Sequence, residues 1–337
     1  MIKIVQLFVI FFSLTKMYAQ PLTSATAVRP GNVFDSLYIT TGTIDAPDYN
    51  ANIPINSLKI MERKTNLLLN NDITGKALNG PYALVAGGSK GIGYAIAQAL
   101  ARRGYNLILI ARHADSLLVA KQRLEATYQV HVEILVYDLS KEESAGAIAK
   151  WCSEQNIQLK MLCNVAGLGG TQDYLSLPLD SLRYMVRLNI ESVMGLTLTL
   201  LPQLENNSPA YILNVASMAG FAPIPEKNLY SATKSAVIFF TYSLRYQLRK
   251  KNISVSCLNP GPVFTKPSIK KDTKEKLGWL GMKMAVSPER VGEIAVRETL
   301  NKKLIIVPGS LAKIAAALIR ILPRRLVVAF YGKAGEK

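Results

Sequence analysis

The 337-residue chain carries 40 Lys+Arg against 23 Asp+Glu, a formal charge of +17, with 49% hydrophobic and 19% charged residues. That balance is too apolar for a disordered chain, and Gly and Pro are too sparse and aperiodic for a fibrous one. Three cysteines and two histidines leave no disulfide framework, no zinc-ligand spacing and little scope for histidine bases, so no metal site is expected.

The chain opens with Lys3 and a short apolar run, Ile4–Leu14, followed by Ala19. Eleven residues fall short of the roughly 20 that a spanning helix needs. Residues 1–19 therefore read as a secretory signal peptide or an uncleaved N-terminal anchor. The first reading implies export. The second keeps the chain on the cytoplasmic face of a membrane. Residues 20–79 turn polar and rich in Thr, Asn, Pro and Gly, the composition of an extension or tether.

From residue 80 to 309 short apolar runs alternate with helix-period segments. The runs are Tyr82–Ala86, Asn106–Ala111, His131–Tyr137, Lys160–Asn164, Ala210–Val215, Ile253–Leu258 and Leu304–Val307. Apolar runs of that length suit strands buried on both faces, and parallel neighbours need helical crossovers. The pattern predicts an α/β, three-layer, doubly wound Rossmann fold with about seven parallel strands. In such a sheet ligands bind beyond the carboxyl ends of the strands.

Between the first strand and its helix stands Gly87-Gly-Ser89-Lys90-Gly91-Ile92-Gly93. Glycine permits the tight turn and lets backbone N–H groups approach a pyrophosphate, which then faces the positive end of the helix. The second strand ends in Ala111-Arg112, where NAD binders place an acidic residue. A guanidinium grips a 2′-phosphate that a carboxylate would repel. Ser89 and Lys90 add a donor and a charge on the same side. NADP(H) is the expected cofactor, in preference to NAD(H).

Tyr230 and Lys234 are four residues apart, about one helical turn, so phenol and ammonium share a face. A fixed cation lowers the phenol pKa from its ordinary value of roughly 10 toward useful acid–base territory. Ser217, at the end of the fifth strand, stands ready to hydrogen-bond a substrate carbonyl.

Together these motifs resemble the short-chain dehydrogenase/reductase family across roughly residues 79–309. Its TGxxxGxG turn appears as Ala86–Gly93 and its NNAG segment as Asn164-Val165-Ala166-Gly167. Asp138 matches the acidic residue that meets adenine. Asn189, Ser217, Tyr230 and Lys234 match the catalytic tetrad. Pro260, Gly261, Val263 and Thr265 match the segment after strand six that meets the nicotinamide. Ala86 and Val165 depart from the family's threonine and second asparagine, and both departures touch structural hydrogen bonds only.

The resemblance implies hydride exchange between nicotinamide and a carbonyl or alcohol, with Tyr230 passing the proton and Ser217 orienting the oxygen. Lys234 would hold the nicotinamide ribose, and Asn189 would keep a proton-relaying water. The glycine turn and Arg112 are similar to those of members that reduce hydroxysteroids or 3-oxoacyl chains, which points to a lipophilic substrate. A homo-oligomer is the family's habit. A rival of another class is a cofactor sensor or scaffold without turnover.

Positive charge concentrates late in the chain, with six lysines between residues 266 and 283 and eight basic residues from Lys302 onward. No nucleic-acid-binding signature accompanies them, so nucleic acid is not an expected partner. Residues 310–337 form a basic amphipathic helix or tail, suited to a membrane surface, to the substrate pocket or to another subunit.

Overall fold

The computed structural model describes residues 80–169, 174–265 and 267–335. The leader (1–19) and the extension (20–79) expected from sequence lie outside those residues. Among the described residues no helix is long and apolar enough to cross a membrane.

Seven parallel strands form one sheet: β1 (Tyr82–Ala86), β2 (Asn106–Ala111), β3 (Val132–Val136), β4 (Leu159–Asn164), β5 (Ala210–Val215), β6 (Ile253–Leu258) and β7 (Ile305–Ile306). Their spatial order is β3-β2-β1-β4-β5-β6-β7. β1 pairs with β2 on one side and β4 on the other, so successive crossovers diverge there and open a crevice at the carboxyl ends. The expected doubly wound architecture is the one observed.

The crossovers are α1 (Gly91–Ala101), α2 (Ala114–Tyr128), α3 (Ser144–Glu154), α4 (Leu179–Val186), α5 (Ser192–Asn206), α6 (Asn228–Leu248), α7 (Pro267–Met284) and α8 (Pro288–Leu300). A π turn over Arg187–Glu191 joins α4 to α5. One core layer packs α1 and α8 against the sheet through Ile96, Leu100, Leu107, Leu109, Val291 and Val296. The other packs α3, α5 and α6 through Ile148, Leu196, Leu200 and Leu244.

The sheet is dry because its strands are apolar on both faces. In β1 and in Asn106–Ile110 of β2 every residue is buried. β3, at the edge, is only partly covered. There the chain ends the strand one residue early at each side relative to the apolar run, leaving His131 and Tyr137 outside it.

Beyond β7 the tail forms two helices, α9 (Ser310–Ile321) and α10 (Arg324–Gly335), separated at Leu322-Pro323. Proline cannot continue a helix, but it is well suited to the start of the next one. α9 lays Ala312 and Ala316 into a cluster with Met218, Val237, Cys257 and Val307. Small side chains let it lie close to the loop after β6: a Cβ on Gly261 would come within 3.9 Å of the Ala312 methyl.

Candidate active site

The loops that leave β1, β4, β5 and β6 converge over the crevice. Gly87 takes φ +87°, a left-handed conformation that glycine adopts without strain. Its N–H donates to Ile110 O at 2.8 Å, tying the turn to β2. A Cβ on Gly87 would stand 2.8 Å from Ala166 N, so the β1 and β4 loops touch. Val165 and Ala166 N–H both donate to Ala86 O, at 3.0 and 2.7 Å. Backbone bonds therefore link the two positions where the sequence departs from the family pattern.

Gly93 is the tightest point, since a Cβ there would fall 2.0 Å from Gly87 O. Gly93→Ala must push the turn open. An expected loss of about 1–3 kcal/mol from overpacking, with loss of dinucleotide affinity, is measurable by thermal melting and cofactor titration.

α1 begins at this turn with Lys90 as its N-cap, no side-chain cap and no acidic residue in its first turn. Four N–H groups at a helix start lack internal partners, so an open start is an anion site. Across from it, a Cβ on Gly91 would lie 3.2 Å from Thr265 Cγ2, which brings the loop after β6 over the glycine turn. Val263 is buried beneath, and its carbonyl accepts from Thr265 N–H at 2.8 Å. Pro260 O accepts from Met218 N–H at 3.0 Å, linking the same loop to the turn after Ser217.

At the far end of the crevice Arg112 is exposed and donates to the Tyr184 hydroxyl at 2.6 Å. Tyr184, on α4, escaped the sequence reading because only the fold brings it to β2. Asp138 accepts from Ser140 N–H and Oγ at 3.0 and 2.8 Å, an arrangement that fixes the bend after β3. Ser89 and Ile92 lie in and just after the same glycine turn.

Ser217 starts a short turn, Met218–Phe221, and its Oγ accepts from Ala219 N–H at 3.1 Å. That turn lies hard against α6: a Cβ on Gly220 would come within 2.8 Å of the Lys234 carbonyl carbon. So the elements carrying Ser217 and the Tyr230/Lys234 pair are held together by contact, and the Ser217 side chain lies near enough to the Tyr230 phenol to pull its pKa down. Lys234 Nζ is buried, donates to Val215 O at 2.9 Å and sits 6.0 Å from the Tyr230 ring centroid. A Cβ on Gly167 would meet Lys234 Nζ at 3.1 Å and Asn189 Oδ1 at 3.2 Å.

Asn189 lies buried in the π turn, a widened turn that often marks a functional position. Its Oδ1 accepts from Leu168 N–H at 2.7 Å. Its Nδ2 donates to Leu168 O at 2.9 Å and to Thr233 Oγ1 at 3.0 Å. The side-chain amide is thereby committed to the loop after β4. A second buried amide network escaped the sequence reading: Asn164 Nδ2 donates to Asn214 Oδ1 and Thr197 Oγ1, and Asn214 Nδ2 to Thr241 Oγ1. It stitches β4, β5, α5 and α6 beneath the site. Its only signals were the asparagines at the end of the β4 run and inside the β5 run.

The electrostatics depart from the sequence expectation. Burial lowers Lys234 to about 8, with the nearby Cys257 thiol opposing. Burial raises Tyr230 above its ordinary value, and the nearby Ser217 side chain pulls it back. The ammonium, turned to the Val215 carbonyl, does not bring the phenol down. Desolvation of both groups outweighs their proximity.

Fold and site define a dinucleotide-type α/β protein with a hydroxyl, a phenol and an ammonium gathered at one end of its crevice. The chain belongs to the short chain dehydrogenase family, whose model matches residues 81–276. A very-long-chain 3-oxoacyl-CoA reductase of Danio rerio is 32% identical over 215 residues, covering 62% of this chain and 66% of that one, just under two thirds. Among solved structures, a bulky-bulky ketone specific alcohol dehydrogenase from Comamonas testosteroni is similar with TM-score 0.62 and 25% identity, covering 77% and 95% of the two chains. An alcohol dehydrogenase from the archaeon Thermococcus sibiricus, complexed with 5-hydroxy-NADP, has TM-score 0.57 and 28% identity, covering 68% and 94%.

Proposed function

We propose that the chain is an NADP(H)-dependent oxidoreductase that interconverts a lipophilic ketone or 3-oxoacyl group and its alcohol. The observation that carries this reading is the packing of the Ser217 turn onto α6, which sets a hydroxyl beside the Tyr230 phenol with Lys234 behind it. The residues fit the cofactor. A turn with no room for a Cβ at Gly93 and an uncapped start of α1 suit a pyrophosphate. Arg112 suits a 2′-phosphate, Asp138 the adenine, and Thr265 with Pro260, Gly261 and Val263 the nicotinamide end. Asn164, Ala166 and Gly167 close the opposite wall. The similar 3-oxoacyl-CoA reductase and bulky-ketone dehydrogenase support the substrate class.

The cofactor's contribution is a hydride delivered to, or taken from, the substrate carbon. Everything else falls to this chain. Ser217 Oγ holds and polarises the carbonyl oxygen. Tyr230, protonated at neutral pH like any phenol, gives its proton to that oxygen as charge develops. Lys234 holds the ribose, and its charge becomes useful as the phenolate forms. Asn189 fixes Leu168 and Thr233, and so the loop behind Lys234.

The test is NADPH oxidation across a panel of ketones and 3-oxoacyl thioesters of increasing chain length. Turnover that rises with chain length supports the proposal. NADPH binding without any turnover would give the sensor or scaffold reading instead. Arg112→Asp is expected to weaken NADPH about ten- to a hundredfold, the worth of one charge-assisted hydrogen bond, while NADH binding holds or improves. Paired cofactor titrations read that ratio directly.

A further inference from the structure

We infer that α7, α9 and α10 form a docking surface for an anionic lipid bilayer, beside the mouth of the proposed substrate site. α9 packs Ala312, Ala316 and the partly buried Ile319 on the core, yet leaves other large apolar side chains in the open. Ala312 and Ala316 face the core, whereas Leu311, Ile314 (54% exposed) and Ile321 (76%) face outward. These three positions recur at intervals of three and seven residues and so form one stripe. On α10 Val327 is buried, and Leu326 and Val328 are exposed. On α7, which packs against both helices, Trp279 is 63% exposed, with Lys283 Nζ 5.0 Å from its ring centroid. A run of exposed leucine and isoleucine beside an exposed tryptophan is suited to a second apolar medium.

The charge around the stripe identifies that medium. Residues 310–335 include Lys313, Arg320, Arg324, Arg325 and Lys333 and no acidic residue. Lys271, Lys274 and Lys283 are exposed on α7. A second copy of the chain would bring the same cations face to face, a like-charge juxtaposition that disfavours association. A bilayer with anionic headgroups complements both parts at once. The apolar stripe and Trp279 enter the headgroup–acyl boundary, while long basic side chains reach headgroup phosphates and carboxylates.

The surface is coupled to the site through two arginines. Arg324 donates to Phe221 O, and the Arg320 guanidinium lies 5.5 Å from the Phe221 ring centroid. Phe221 closes the turn that begins at Ser217, and α10 packs on the following Pro225–Lys227 segment. A lipophilic substrate would thus reach the site from the bilayer side, a consequence that rests on the proposed activity. Vesicle binding itself does not.

The experiment is co-sedimentation of the full-length protein with vesicles of phosphatidylcholine alone or phosphatidylcholine with phosphatidylserine, without substrate. Wild type should bind the serine-containing vesicles preferentially. Ile314→Ser/Ile321→Ser should reduce partitioning about tenfold or more on them, through lost apolar insertion. Lys313→Gln/Arg325→Gln should lose about tenfold on anionic vesicles and little on neutral ones. Comparing variants that share the same N-terminus isolates this surface from the apolar run at residues 4–14. Both variants are checked by circular dichroism and NADPH binding, which the exposed positions should leave intact. Wild type failing to bind anionic vesicles overturns the inference, as does either variant binding like wild type. So does an apolar variant that dissociates an oligomer in gel filtration while still binding vesicles, the outcome that marks the stripe as a subunit contact.

Discussion

Replacing Tyr230 by phenylalanine is expected to lower kcat for carbonyl reduction by about 10²- to 10⁴-fold, the range associated with one positioned proton donor. The ring stays, so the packing against the 164–169 loop stays. A Cβ added at Gly169 would lie 3.8 Å from Tyr230 Cε2, so the loop runs close to a ring that phenylalanine also supplies. NADPH affinity should change little, because the walls of the crevice from the glycine turn to Thr265 are untouched. Ser217→Ala removes the hydroxyl that acts on the phenol and, in the proposal, holds the carbonyl. Its loss should be partial, because the proton donor remains. The two effects should combine non-additively, since the Ser217 side chain acts on the Tyr230 phenol. Single-turnover rates with saturating NADPH separate chemistry from binding. A Tyr230→Phe enzyme that turns over at the wild-type rate would move the proton donor to another residue.

The sheet was legible because a strand buried on both faces has to be an unbroken apolar run. β1, β2, β5 and β6 begin and end where such runs do. β3 was read too long because His131 and Tyr137 flank an edge strand that is only half covered. The loops were legible for a different reason. A turn that leaves no space for a Cβ at Gly93, or a helix start that must stay uncapped, restricts the residue at a fixed chain position. Tyr184 beside Arg112, and the ladder from Asn164 through Asn214 to Thr241, are contacts between residues 27 to 72 positions apart. Nothing local announces them. The reversal at Tyr230 has the same origin. Helical spacing puts phenol and ammonium on one face, but how far both are stripped of water depends on the Ser217 turn, the 164–169 loop and β5 closing over them.

That desolvation makes the cofactor-free enzyme carry a cost that its chemistry needs. Lys234 titrates near 8 in the fold against an ordinary 10.5. Below pH 8 both folded and unfolded chains hold the proton, and the full burial penalty, about 3 kcal/mol, weighs on the fold. Between 8 and 10.5 the unfolded chain binds more protons than the folded one, so stability rises with pH across that window. Tyr230, raised in the fold, acts oppositely above its ordinary value of 10, which leaves pH 8 to 10 as the clean interval. Lys234→Met keeps the stem and removes the charge. It also strands the Val215 carbonyl, at a cost of about 1–3 kcal/mol that offsets much of the gain.

At pH 7 the apo variant should therefore melt above wild type by a few degrees, on a net gain of about 1 kcal/mol. The advantage should shrink and then reverse toward pH 10. Turnover in the same variant should fall at least about 10²-fold, with the proposed ribose contact gone as well. Saturating NADPH should then invert the order of melting temperatures, because a ligand stabilises the fold in proportion to the logarithm of its excess over Kd. Differential scanning calorimetry at pH 7 and 9.5, with and without NADPH, reads all four states. An apo variant that melts below wild type at both pH values would mean that Lys234 supports the fold, and that its proton is not the one being pushed off.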